Sequence, residues 1–227
     1  MKLSKLIIQK NKPNIATVLG NIVIFCSFFY KIPQIIKINN AKSAKGVNLL
    51  SNLQDLIAYI FAFSYSYSQK HQFSTYGENL FQGLSTLIIC SQIYYYERKL
   101  TLRQISNFIF GVGSSVIIMC KSKEIFGKKI GTYILNLSKT ITILFGLTGK
   151  IPQIMTNYKS QAVGQLSLTT TFSNFIGSTA RIYTILKQLV EDKLMITAQT
   201  NSLLLNGILV LQILYYGPNG RIKKNWN

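Results

Sequence analysis

The 227-residue sequence contains a single histidine, His71, and only 6 acidic residues. General acid–base catalysis most often uses histidine or carboxylates, so the sequence offers few candidate catalytic residues of this kind. The one adjacent acidic pair, Glu191 and Asp192, stands between two apolar stretches, where we expect both side chains, like His71, to be solvated. The sequence shows neither a glycine-rich phosphate loop nor metal-ligand spacing. We therefore expect a protein that is not an enzyme and that uses no cofactor or metal.

Cysteine is also scarce, and the three cysteines form no recognisable framework. Cys26, Cys90 and Cys120 each lie inside an apolar stretch. An odd number excludes a fully paired disulfide set, and the spacing matches no metal-binding motif. Free cysteine commonly packs as a small hydrophobic residue, so we expect all three thiols to be buried.

Long hydrophobic runs, by contrast, are abundant. Four stretches carry no charged residue, at 14–30, 80–96, 104–120 and 194–216, and three more hold one charge each, at 47–68, 130–149 and 165–186. Apolar segments of about 17–25 residues have the length of a membrane-spanning helix. The sequence therefore predicts seven spans and an all-α membrane protein. The alternative is a soluble helical protein, whose buried helices would be shorter and would carry a polar stripe.

Positive charge dominates, with 25 Lys and Arg residues against 6 acids and a formal net charge of +19. In a soluble protein such an excess would suggest a nucleic acid partner. Here the basic residues stand mostly between the predicted spans, where membrane lipids with anionic headgroups are the natural partner, and we expect no nucleic acid. They fall on both sides of the membrane in nearly equal numbers, so the positive-inside rule selects neither orientation. The apolar run within the basic leader is too short for the core of a secretory signal, and the leader leaves a mitochondrial address open.

The word KIPQI occurs twice, at 31–35 and 150–154, and locates an internal repeat. A Lys-Ser pair, a glycine and a segment containing Leu and Ser follow both copies, and each copy then leads into two further spans. We predict a basic leader (1–13), a first three-span repeat (14–96), a linking span with a basic loop (97–129), a second three-span repeat (130–216) and a basic tail (217–227). One linking span between the halves gives both the same orientation in the membrane, as in parallel repeats.

The Pro-Gln pairs of the repeated word, Pro33-Gln34 and Pro152-Gln153, are candidate hinge and cavity residues. Proline removes a backbone donor and clashes with the carbonyl four residues earlier, which kinks a helix. In lipid the freed backbone groups need new partners, and a glutamine amide can supply both donor and acceptor. A single kink would only shape the bundle. Two kinks at equivalent positions predict a pseudosymmetric polar site between the halves.

Charged residues inside or at the start of predicted spans form the second candidate set: Asp55, Glu78, Lys139 and Arg181. A charge at the centre of a membrane helix costs about 2.5–3.5 kcal/mol on an insertion scale, so we expect these side chains to face the interior and pair. Arg181 always keeps its charge and should meet one of the two acids, Asp55 rather than Glu78 by depth. Lys31 and Lys150 are expected to extend toward the membrane surface. The alternative is that these charges are only structural links between helices.

With its repeated Pro-Gln word and its three–one–three arrangement of spans, the sequence resembles the PQ-loop repeat family, distant relatives of the SWEET sugar transporters. Four stretches, AKSAKGVNLLS (41–51), YGENLF (76–81), GQLS (164–167) and STARIYT (178–184), resemble the mannose-P-dolichol utilization defect proteins within that family. Asp55, Glu78 and Arg181 match charged positions of those proteins, whereas Lys139 does not. The chain departs from their pattern at Tyr76, where a Trp is expected.

The resemblance implies a SWEET-like fold of two parallel three-helix repeats joined by a linking helix. It also implies a multi-pass protein of the endoplasmic reticulum membrane that supports the use of dolichol-phosphate mannose and glucose in glycan and GPI-anchor synthesis. Presenting or moving the lipid-linked sugar, with its headgroup near Gln34 and Gln153, is one way to do so. Two alternatives stay open: a transporter of a small solute through the same cavity, and a structural subunit of a membrane complex, such as one of the mitochondrial inner membrane.

Overall fold

A computed structural model describes residues 15–163, 168–189 and 191–216, and its regular structure within these ranges is helical. Predictions about the leader (1–13), the tail (217–227) and the GQLS stretch (164–167) lie outside them. The α-helices are α1 (Ile15–Tyr30), α2 (Ile32–Ala41), α3 (Leu49–Ser68), α4 (Gly77–Tyr96), α5 (Leu102–Cys120), α6 (Ser122–Ile125), α7 (Lys128–Ser160), α8 (Leu168–Gln188) and α9 (Lys193–Tyr216). A 3₁₀ turn, Phe73–Thr75, precedes α4.

Seven helical segments of the described chain have the length of a membrane span. Four are also apolar enough to cross a membrane by composition: Ile15–Ala41, which joins α1 and α2, and α5, α7 and α9. The other three, α3, α4 and α8, have 20, 20 and 21 residues, which is enough to span the hydrocarbon core. These three helices carry Asp55, Glu78 and Arg181, whose charged side chains form the ion pairs described below.

Local capping explains where several helices begin and end. The side chain of Asn48 accepts a hydrogen bond from the Ser51 backbone N–H at the start of α3. Thr101 and Gln104 form a reciprocal capping box at the start of α5, which satisfies donors that have no partner inside the helix. Lys42, with φ 49°, ends α2 in the left-handed conformation common after helix C-termini.

The two copies of the repeated word differ in local structure. Lys31 separates α1 from α2, so Pro33 stands in the first turn of a new helix, where the missing N–H costs nothing. Pro152 lies inside the continuous helix α7, where proline removes a hydrogen bond. Both helices run on beyond their proline, to Ala41 and Ser160, further than the predicted spans.

The long helices form a ring of six. In the first repeat α1 packs on α4 and α4 on α3; in the second, α7 packs on α9 and α9 on α8. Each repeat therefore places its third span between its first and second. The repeats meet through α1 with α8 and through α3 with α7, which closes the ring, and α5 lies outside it against α3 and α4. A ring closed in this way has room for a site at its centre.

Candidate functional site

The two lysines of the repeated word turn into the bundle. Lys31 Nζ donates to Thr86 Oγ1 at 2.8 Å and lies 3.4 Å from Asp55 Oδ2. Lys150 Nζ donates to Asn206 Oδ1 at 2.8 Å. The expectation that both extend toward the membrane surface is therefore wrong. The third span of each repeat offers the ammonium a polar partner inside the bundle, so the side chain has no need to reach the surface.

A second pair of equivalent contacts lies beside the prolines. Gln92 Nε2 donates to the Ile35 carbonyl at 3.1 Å, and Gln212 Nε2 donates to the Ile154 carbonyl at 2.9 Å. These glutamines were not predicted from the sequence. Their bonds span 57 and 58 residues, as the lysine bonds span 55 and 56. Comparing the two halves, with a shift of one residue between the repeated word and the third span, would have found both sets.

The Pro-Gln residues themselves have no such partners. Pro33, Gln34 and Pro152 are exposed and Gln153 is half-buried. Within the described part of the chain, neither glutamine side chain makes a hydrogen bond. The polar partner near each proline thus comes from the third span of the same repeat, because that helix packs directly against the first. The role of the two prolines as hinges stays a prediction.

Arg181 joins the two repeats. Its Nη2 donates to Glu78 Oε2 at 2.7 Å and its Nη1 to the Ser74 carbonyl at 2.7 Å. The arginine and glutamate side chains are only 4% and 13% exposed. The predicted pairing with an acid of the first repeat is therefore present, but the preference for Asp55 is wrong: that carboxylate is 52% exposed and contacts Lys31. Depth along the membrane normal was not sufficient to predict the partner, because α8 packs against α1 and the 3₁₀ turn. This packing brings Arg181 to the start of α4, where Glu78 lies.

Close packing places the Ser74 carbonyl where Arg181 can reach it. The backbone of α1 passes this turn at Gly20, and a Cβ atom at that position would overlap the Ser74 carbonyl oxygen. Gln188 adds a further link, since its Nε2 donates to Thr17 Oγ1 at 2.8 Å and Ser74 Oγ donates to its Oε1 at 3.3 Å. The turn before α4 is therefore held from α1 and α8 together.

Asp192 forms a third contact between the repeats. Tyr65 donates its hydroxyl to Asp192 Oδ2 at 3.0 Å, and His71 Nε2 lies 3.2 Å from the same oxygen. The His71 and Asp192 side chains are 10% and 12% exposed, so the expectation that they are solvated is wrong. Burial alone would raise the pKa of the Asp192 carboxyl, but hydrogen bonds from His71, the Met195 N–H and Tyr65 outweigh it and lower the pKa below its ordinary value. Local sequence carries no signal for a contact across 127 residues.

These contacts between the repeats cluster at one end of the bundle, where α3 connects to α4 and α8 connects to α9. At the opposite end, which holds α2 and the last turns of α7, the bonds from Gln92, Gln212, Lys31 and Lys150 stay within each repeat. The described conformation is therefore tied between repeats at one end and within repeats at the other.

A cavity of about 580 Å³ lies between the repeats. The polar side chains that line it include Ser27, Asn79, Gln82, Asn174, Ser178, Arg181, Gln199 and Asn206. A smaller chamber of about 170 Å³ shares Glu78, Asn79 and Lys150 with it and adds Lys139. Cys26 also lines the large cavity and is exposed, so the expectation that all three thiols are buried is wrong for this one; Cys90 is buried and Cys120 is half-buried.

Ring and cavity define a membrane protein built from two helical repeats around a central site. The chain belongs to the PQ-loop repeat family, whose model matches residues 15–75 and 134–193, together more than half of the sequence. A solved structure of a eukaryotic SWEET transporter, at 3.7 Å resolution, is similar to it with a TM-score of 0.71 and 18% identity, over 90% of this chain and 96% of that one. At this identity the likeness shows the fold alone. It confirms the predicted all-α, SWEET-like architecture of two three-helix repeats and a linking helix.

Proposed function

We propose that this protein moves a small polar solute, of the size of a sugar, across a membrane through the cavity between its repeats. The cavity itself carries the proposal: at about 580 Å³ it falls in the usual range for ligand sites, about 300–1,000 Å³. Hydroxyl and amide groups of Ser27, Gln82 and Asn174 line it. Such groups are costly inside a membrane protein unless they bind one another or a ligand.

The distribution of bonds supports movement of one repeat against the other. At one end the repeats are joined by the hydrogen bonds of Arg181 and Asp192 and by a buried apolar cluster of Tyr65, Leu135, Ile185 and Met195. At the other end each repeat is bonded internally, as a unit that can move as a body. In transporters built from repeats, alternating access is largely a rigid-body rocking of one repeat against the other around a fixed site. Likeness in fold to a SWEET transporter supports the same function.

Uptake by the full-length protein in liposomes tests this proposal. At least one of radiolabelled mannose, glucose and mannose 1-phosphate should enter protein-containing vesicles faster than protein-free ones. Asn174→Leu removes an amide from the cavity wall and should lower uptake roughly tenfold, because an unmet hydrogen bond of the bound ligand costs about 1–3 kcal/mol. Asn107→Leu is the matched control, since Asn107 is an exposed amide of α5, the helix outside the ring.

Two results would overturn the proposal. If none of the three solutes enters faster than it enters protein-free vesicles, a solute of the size of a hexose is excluded. Equal uptake by wild type and Asn174→Leu would show that the solute does not pass through this cavity.

A second candidate function has a specific observation in its favour. The Arg181–Glu78 pair joins STARIYT and YGENLF, two of the four stretches that resemble the mannose-P-dolichol utilization defect proteins. Under this proposal the protein lies in the endoplasmic reticulum and supports the use of dolichol-phosphate mannose and glucose, by presenting or moving the lipid-linked sugar.

Localisation of a tagged protein and the lipid-linked oligosaccharide profile after gene deletion test the second candidate. Reticular staining with truncated oligosaccharides is expected. A full-length oligosaccharide after deletion would contradict it. Mitochondrial staining together with co-purification in a stoichiometric complex would instead favour a structural subunit.

A further inference from the structure

The chamber beside the central cavity is small, polar and positively charged. It lies between α4, α7 and α9 and has a volume of about 170 Å³, whereas a single water needs only about 10–15 Å³. Thr142, Asn79 and Gln199 contribute polar groups to its wall. Two lysines, Lys139 and Lys150, line it as well.

Lys139 is the less usual of the two. The residue is 4% exposed, and among the described residues no hydrogen bond or ion pair reaches its ammonium group. Its ammonium group lies over the Tyr65 ring, 5.9 Å from the ring centroid, which is at the outer limit of a cation–π contact. Glu78 and Asp192 act on it through space, but each of these acids already has closer partners in Arg181 and in Tyr65 and His71. A buried charge is costly unless it is paired and hydrogen-bonded.

Among the described residues, no acidic side chain forms an ion pair with Lys150 either. Its bond to Asn206 is to a neutral amide oxygen, whereas the equivalent Lys31 of the first repeat has Asp55 beside it. The charges that line the chamber and the central cavity are therefore three cations, Lys139, Lys150 and Arg181, and one acid, Glu78. Glu78 compensates Arg181, so two positive charges remain, and both belong to lysines of α7.

We infer that Lys139 forms an anion subsite in this chamber, and that the ligand of the central cavity carries a phosphate or carboxylate group bound there. This rests on the proposed function, because it assigns a charge class to the ligand of the same cavity. A bound anion would supply Lys139 with a charge partner, and charge-assisted hydrogen bonds are among the strongest available to it. Lys150 stands eleven positions further along α7, about 16 Å along the helix axis, so it adds positive potential to the cavity rather than a second bond to the same anion. The phosphate of a soluble sugar phosphate and that of a lipid-linked sugar present the same chemistry to this subsite.

Thermal unfolding of the purified full-length protein measures binding without transport. Mannose 1-phosphate should raise the unfolding temperature at concentrations where mannose does not, with sodium chloride matching the ionic strength. Lys139→Gln should weaken the apparent affinity roughly tenfold or more, the loss expected for one hydrogen bond to a charged group, and Lys150→Gln should weaken it less. Lys129→Gln is the matched control, because Lys129 lies on the same helix and is exposed. Equal responses to mannose and mannose 1-phosphate, or equal affinities in wild type and Lys139→Gln, would overturn the inference.

Stability without ligand gives an independent readout. If Lys139 is kept for a ligand, Lys139→Gln should unfold at a higher temperature than wild type in the absence of anions, because it removes an uncompensated buried charge. If the lysine has only a structural role, the same variant should unfold at a lower temperature, and that result would count against the subsite.

Further measurements distinguish a soluble from a lipid-linked anion, and distinguish the anion subsite from the transport function. Stabilisation by dolichol-phosphate mannose in micelles, but not by mannose 1-phosphate, would identify a lipid-linked ligand if it depends on Lys139. A Lys139-dependent response in a protein that shows no uptake would keep the subsite and end the transport proposal. Neutral-sugar uptake that Lys139→Gln leaves unchanged would keep transport and end the subsite.

Discussion

Replacing Arg181 by leucine should strongly destabilise the protein. The Arg181 and Glu78 side chains are 4% and 13% exposed, and the guanidinium also binds the Ser74 carbonyl. Removing one member of a buried ion pair typically costs about 3–5 kcal/mol, because the remaining charge is left uncompensated. At about 2–4 °C per kcal/mol for a chain of this size, the unfolding temperature should fall by about 6–20 °C.

The double variant Arg181→Leu/Glu78→Leu should recover part of that loss. It no longer buries a lone carboxylate, although the Ser74 carbonyl still lacks its donor, which costs about 1–3 kcal/mol. The double variant should therefore be more stable than Arg181→Leu alone. Arg181→Leu/Asp55→Leu is the control and should show no recovery, because Asp55 contacts Lys31 and not Arg181.

Thermal unfolding of the four variants in one detergent, with wild type, completes the double-mutant cycle. Losses for Arg181→Leu and Glu78→Leu that simply add in the double variant would refute a direct pair between them. Recovery by Asp55→Leu instead of Glu78→Leu would show that the arginine meets the other acid.

Three further predictions follow from named contacts. Pro152→Ala should stabilise the protein by up to about 3 kcal/mol, because this proline lies inside α7. Pro33→Ala should change stability little, because Pro33 stands in the first turn of α2. Both substitutions should lower sugar uptake, and wild-type uptake by both variants would contradict the hinge hypothesis. Gln92→Leu should cost about 0.5–1.5 kcal/mol in thermal unfolding, since it removes one bond to the Ile35 carbonyl. Gln212→Leu should cost more, because it removes the bond to the Ile154 carbonyl and also the bond that Gln212 Oε1 accepts from the buried Asn157 amide; equal losses in the two variants would contradict this. Because the pKa of Asp192 is lowered in the folded protein, its carboxylate stabilises the fold at pH values above the unfolded pKa of about 4. This contribution disappears as the pH falls through the folded pKa. Between pH 6 and pH 3 the Asp192→Asn variant should therefore lose less stability than wild type, and identical pH profiles would contradict the assignment.

Hydrophobicity and repetition were enough to predict the architecture from the sequence. Length and apolarity of a span are local properties, so the seven helices follow from the composition of each stretch. The repeated word, with one span between the halves, determines that the repeats are parallel. The polar contacts beside the prolines could also have been predicted, because the distances of Thr86 and Asn206 from the two copies of the word, and those of Gln92 and Gln212, differ by only one residue.

Only the tertiary structure decided which charges meet. Arg181 could have reached either acid of the first repeat, and the order of helices in the ring brought it to Glu78 and left Asp55 to Lys31. Contacts such as Asp192 with Tyr65 cross from one repeat to the other and have no counterpart in local sequence. The physical reason is that burial of apolar surface is nondirectional and can be assigned residue by residue, whereas an ion pair depends on the rotation, depth and neighbours of two helices at once.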